Sequence, residues 1–147
     1  MESRSRNIYK TARNVAGLTQ ERWAETIGVS PDSVRKYESG DQIPHDDVVK
    51  MMSEISGLSP LCYWHLCHKS EIAKELLPPV ETVPLPQAVI QLTCRIRDFA
   101  KRPDRLLDIV ADGKIDEFER SDFDTILAEL DDVVQAAIQL KYAERGE

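Results

Sequence analysis

The sequence lacks any apolar run approaching the ~18 residues that a membrane span requires. Its opening residues, MESRSRNIYK, hold no apolar stretch of the kind a secretory leader needs. Cysteine is scarce. Cys62, Cys67 and Cys94 are too few for a disulfide framework and suit reduced thiols in a soluble cytoplasmic protein. No strand-like alternation of useful length and no internal repeat occurs, so the chain reads as all-α. No nucleophile–base arrangement and no phosphate-binding glycine loop is visible, so no enzyme is expected. Basic excess is also missing: the net charge of −7 argues against a general nucleic-acid coat.

That charge is unevenly spread. Residues 1–43 carry seven Lys/Arg against six Asp/Glu, residues 44–80 three against five, and residues 81–147 nine against fifteen. A polyanion would therefore meet the N-terminal part. Proline divides the chain too. Pro78, Pro79, Pro84 and Pro86 crowd PPVETVPLP, which predicts a semi-rigid extended linker over 78–86 between a domain over 1–77 and a helical region over 87–147.

Within the first part, apolar spacing predicts a helix over 7–16, stopped by Gly17. A second follows the N-cap Thr19 and ends at Ile27–Gly28. A third follows Ser30, with Pro31 at its first position, and ends at Ser39–Gly40. A fourth follows Pro44, and a fifth lies within SPLCYWHLCHKSEIAKELL, reaching as far as Leu77. In TQERWAETIGVSPDSVRKYESG, Trp23, Ile27, Val34 and Tyr37 read as inward anchors. Ala24 allows close crossing, Gly28 a positive φ, Val29 plugs the turn and Ser30 caps the next helix. This is the recipe for two short helices held at a steep angle.

The segment from about residue 8 to residue 66 resembles the lambda-repressor-like, XRE-type helix-turn-helix domain. The resemblance rests on Gly17–Leu18–Thr19–Gln20, Ala24, Ile27–Gly28–Val29–Ser30, Val34, Tyr37–Glu38–Ser39–Gly40 and Pro44, with GLSPLCYWHL similar to the family's fifth helix. Trp23 and Tyr37 are bulkier than the aliphatics usual there, which implies altered packing. The resemblance implies that Gln20 bonds a phosphate and that the third helix enters the major groove with Pro31, Asp32, Ser33, Arg35 and Lys36 outward. Arg35 would fork onto guanine, Lys36 reach guanine or phosphate, and Asp32 accept from a cytosine amino group. Arg13 and Glu38 would form an internal ion pair. Arg4, Arg6 and Lys10 would supply a basic arm, or simply a frayed terminus. A third helix that is merely solvated would carry similar charges, and Asp32, Asp41 and the uncharged remainder of DQIPH favour that alternative.

Two further constellations invite metal and are better read otherwise. Cys62, His65, Cys67 and His68 have ligand types suited to zinc, but on one helix Cys62 and Cys67 point roughly 140° apart. DIVADGKIDEFE resembles a calcium loop in part, yet Val110 stands where a ligand belongs and Lys114 adds positive charge. A turn ended by Gly113 and capped by Asp116 with Glu119 is the simpler reading. No metal and no cofactor is expected.

Beyond the prolines, Leu85, Val89, Leu92, Ile96 and Phe99 recur at intervals of four and three, a coiled-coil-like seam. A shorter helix is expected from Pro103. A long one follows the DGKID turn, with Phe123, Ile126, Leu127, Leu130, Val133, Val134, Ala137 and Ile138 on one face. Two copies could cover each other's stripes as a homodimer, or one chain could fold on itself as a hairpin. The expectation is a five-helix lambda-repressor-like domain followed by a helical dimerisation region. Such a protein would be a DNA-binding regulator of bacterial or phage type, a repressor acting as a homodimer on double-stranded DNA. The alternative is an antitoxin-like or adaptor protein holding a protein partner through its acidic C-terminal helices.

Overall fold

In a computed structural model of the chain, residues 7–146 are described, and among them lie nine helices and no strand. These are α1 (Ile8–Ala16), α2 (Gln20–Ile27), α3 (Pro31–Ser39), α4 (Asp46–Ser56), α5 (Leu61–Lys69), α6 (Glu71–Leu76), α7 (Leu85–Phe99), α8 (Pro103–Ile109) and α9 (Glu117–Lys141). The chain is all-α and divides into two units, one ending at Leu77 and the other beginning at Pro78.

The first unit is organised by its caps. Asn7 accepts from the Lys10 amide to start α1, and its own Nδ2 donates to the Tyr37 carbonyl at 2.8 Å, tying α1 to α3. Thr19 accepts from the Arg22 amide and Ser30 from the Ser33 amide, so α2 and α3 each begin with an orphan donor satisfied. Between them Gly28 takes φ 72°, a left-handed turn that would strain any residue bearing a Cβ. The core gathers Tyr9, Ala12, Trp23, Ala24, Ile27, Val34, Tyr37, Val49, Met52 and Leu61 from α1 through α5, all buried. Each large apolar side chain there contributes about 1.5–3 kcal/mol by leaving water.

One expectation about this unit fails. The fifth helix does not run on to Leu77, because Ser70 is extended (φ −122°, ψ 118°) and divides it. Its N–H closes α5 on the Leu66 carbonyl, and its Oγ accepts from the Ala73 amide to open α6. A sixth, six-residue helix is thus added to the expected five.

The second unit takes in the stretch expected to be a semi-rigid extended linker. Residues 78–84 are not helical, but Val80 and Val83 are buried. The Glu144 amide donates to the Val83 carbonyl and the Leu85 amide to the Glu144 carbonyl, both at 3.0 Å. Gln135 Nε2 reaches the Pro79 carbonyl. The segment is stitched to the end of α9, and α7 starts at Leu85, inside the stretch expected to be linker. Arg95 pairs with Asp132, Arg102 with Glu129 and Arg105 with Asp122, so α7 and its continuation run antiparallel to α9. Asp116 caps α9 in a complete capping box with Glu119, and Gly113 (φ 77°) makes the turn before it.

The apolar seam is therefore used partly within the chain. Ala88, Ile109 and Ile126 are buried in this unit, and Leu85, Leu92, Phe99, Phe123, Leu130 and Val133 are half-buried. Ile126, expected at a dimer contact, is fully enclosed by its own chain. Val89, Ile96, Val134 and Ala137 stay exposed.

Candidate nucleic-acid interface

The α2–turn–α3 unit buries Trp23, Ala24, Ile27, Val34 and Tyr37 and leaves one face of α3 outward. Pro31, Asp32, Arg35 and Lys36 are exposed on it, and Ser33 is half-buried. The charged residues are not independent. Asp32 Oδ2 holds Lys36 Nζ at 2.8 Å, and its other oxygen lies 4.0 Å from Arg35 Nη1. The hydrogen bond to Lys36 holds the Asp32 carboxyl below its ordinary range, and the same bond raises the Lys36 ammonium. One carboxylate thus organises both candidate base-reading cations, and DNA would have to exchange it for base or phosphate acceptors. Ser33 shares its hydroxyl with Ser30 at 2.9 Å, so part of its hydrogen-bonding capacity serves the helix cap.

Behind this face, Arg13 and Glu38 are joined in a fork. Arg13 Nε and Nη2 bond the two carboxylate oxygens, and Nη1 donates to the Leu18 carbonyl at 2.8 Å. The side chains are only 14% and 7% exposed. The hydrogen bond to Glu38 raises the Arg13 guanidinium above its ordinary value. Sequence reasoning missed a third member of this group: Gln20 Nε2 donates to Glu38 Oε2 at 2.8 Å. The Gln20 amide is therefore oriented by Glu38, with its second N–H left for an outside acceptor. Lys10 is exposed on α1. Arg4 and Arg6 lie outside the described residues.

The residues considered for zinc are engaged otherwise. His65 is buried, its Nδ1 2.9 Å from the Tyr9 hydroxyl and its Nε2 3.0 Å from Asp46 Oδ1, which also accepts from Lys69 at 2.7 Å. Bonds from Lys69 and then His65 hold the Asp46 carboxyl down to about 2, and burial pushes Tyr9 up to about 12. Cys62 is exposed and the half-buried Cys67 thiol is raised by desolvation. No group of three or more His, Cys, Asp or Glu among the described residues is disposed to hold a metal ion. Among the same residues no helix is long and apolar enough to cross a membrane.

Comparison with known proteins agrees with this geometry in one segment. The helix-turn-helix family model matches residues 10–61, from α1 to the start of α5. No curated protein and no solved structure matches the chain. Over residues 10–61, the chain is similar to the helix-turn-helix family of the lambda-repressor-like, XRE type.

Proposed function

We propose that the protein is a sequence-specific DNA-binding transcriptional regulator, a repressor that occupies a two-fold symmetric operator as a dimer. The observation that carries this reading is the outward face of α3. Arg35, Lys36 and Asp32 stand together on a helix whose cap, turn and buried side serve the frame alone. In the major groove, Arg35 would exchange Asp32 for the O6 and N7 of guanine, a contact worth about 1–3 kcal/mol of discrimination. Gln20, aimed by Glu38, would donate its remaining N–H to a phosphate. Cations on this unit are few, so affinity should fall only moderately with salt.

Fluorescence anisotropy with duplex DNA tests the assignment. Arg35→Ala should abolish preference for the cognate sequence while the protein stays folded. Gln20→Ala should weaken cognate and unrelated duplexes alike. A preference unchanged by Arg35→Ala would remove α3 as the reading element. The competing reading is a protein-binding module using the acidic C-terminal helices. It draws support from the pairing of both α3 cations with Asp32 and from the acidic excess of residues 81–147. Under it, Arg35→Ala leaves partner binding intact.

A further inference from the structure

The hairpin of α7 and α9 has two unlike edges. Along one, Arg95 faces Asp132 at 3.6 Å and Arg102 faces Glu129 at 3.0 Å, and Gln91, Gln135 and Gln139 line the same groove. The other edge is apolar. At ~100° per residue, Val89 and Ile96 on α7 and Leu127 and Val134 on α9 fall on the flank away from those ion pairs. They are 45%, 50%, 42% and 49% exposed. Val89 and Ile96, like Leu127 and Val134, are seven residues apart, which keeps each pair on a single stripe.

Charges beside this stripe specify what can cover it. Arg97 lies on the outer shoulder of α7 and Asp131 on the outer shoulder of α9, both exposed. The pairings Arg95–Asp132 and Arg102–Glu129 put Arg97 and Asp131 at nearly the same height along the hairpin. Suppose two such stripes stack about a two-fold axis parallel to the helices. Then α7 lies over the partner's α9, and Arg97 comes beside the partner's Asp131, twice. With the axis across the helices, α7 would meet α7, and Arg97 would oppose its own copy. Like charges so placed are destabilising.

We propose that this apolar edge is the self-association surface, closing an antiparallel four-helix bundle in which α7 of each chain packs on α9 of the other. The inference rests on the dimeric part of the function proposed above and names its contact: Val89, Ile96, Leu127 and Val134, flanked by Arg97 and Asp131. Of the dimer contacts expected from sequence it keeps Val89, Ile96 and Val134 and leaves out Ile126, which is buried in its own chain. Because a single helix-turn-helix reads one half-site, this bundle would set the spacing of two.

Sedimentation equilibrium on the full chain at micromolar concentration tests it. Wild type should give twice the 16.7 kDa chain mass. Ile96→Glu should give the single mass with its helical circular dichroism intact, since the position is already exposed. Arg97→Asp should raise the dissociation constant about tenfold or more. Adding Asp131→Arg to it should restore most of the loss. A wild-type chain of single mass overturns the proposal, as does a dimer indifferent to these substitutions. Anisotropy of Ile96→Glu on a single half-site separates the two claims. Retained binding there leaves DNA reading standing whatever the mass result, and lost DNA reading in a dimeric wild type leaves the bundle standing.

Discussion

Replacing Glu38 with Ala perturbs the helix-turn-helix frame at its most charged internal point. The substitution removes both acceptors of the Arg13 fork and the acceptor of Gln20, three side-chain bonds in all. Arg13 would then keep its charge at 14% exposure with only the Leu18 carbonyl as partner. Removing one member of an enclosed pair costs about 3–5 kcal/mol, chiefly for the charge left behind. The lower end applies here, because the Arg13 edge still touches water. For a unit of this size ~3 kcal/mol lowers the melting temperature by at least ~12 °C. Urea unfolding of Glu38→Ala, Arg13→Ala and the double variant, followed by tryptophan fluorescence, closes the cycle. The double variant should lose clearly less than the sum of the single losses, because once one partner is gone the other has little left to lose. Losses that add within ~0.5 kcal/mol would refute the reasoning and make the fork a surface contact in energetic terms.

Three further outcomes follow from the geometry. Gly28→Ala should destabilise the first unit by about 1–2 kcal/mol in urea unfolding. A Cβ there meets nothing within 4 Å, so the cost comes from φ 72° alone, and no loss would argue for a different turn. Asp46 is held at about 2 in the folded state, below its unfolded value, so its contribution to stability is present above the ordinary carboxylate range and is lost as pH falls toward 2. Asp46→Asn should flatten that acid limb in unfolding titrations, and an unchanged limb would contradict the Lys69 and His65 contacts. Asp32→Ala should free Arg35 and Lys36, tightening binding to unrelated duplexes and narrowing the gap to the cognate one in competition assays; a gap left intact would show that Asp32 takes no part in selection.

Local rules made the helix ends readable in both units. Thr19, Ser30 and Asp116 cap helices because their side-chain oxygens satisfy amides two or three residues on, and Gly17 and Gly28 end helices because they accept positive φ. Trp23, Ile27, Val34 and Tyr37 were legible as anchors because they repeat at helical spacing. The break at Ser70 was hidden by apolar spacing that runs on either side of it, although a serine followed by glutamate is itself a capping signal. Proline misled over 78–86. It bars a helix interior but neither a first turn, where Pro86 sits in α7, nor packing, and Val80 and Val83 are buried. The seam after Leu85 has the correct period, and Leu85, Leu92 and Phe99 are half-buried within the chain while Val89 and Ile96 stay exposed, since periodicity says which residues share a face and not what lies against it. The links of Gln20 to Glu38 and of Tyr9 to His65 join residues 18 and 56 positions apart, beyond the reach of any local pattern.

The central claim is that α3 reads DNA for a two-fold symmetric protein. The most direct measurement is selection of bound sequences by the folded 147-residue chain from a random duplex pool at low salt, with Arg35→Ala as control. The account predicts enrichment of a symmetric motif whose two halves are spaced by about one helical turn or a multiple of it, and which the variant fails to select. Absence of any enriched motif, or a motif that Arg35→Ala selects equally well, would contradict it.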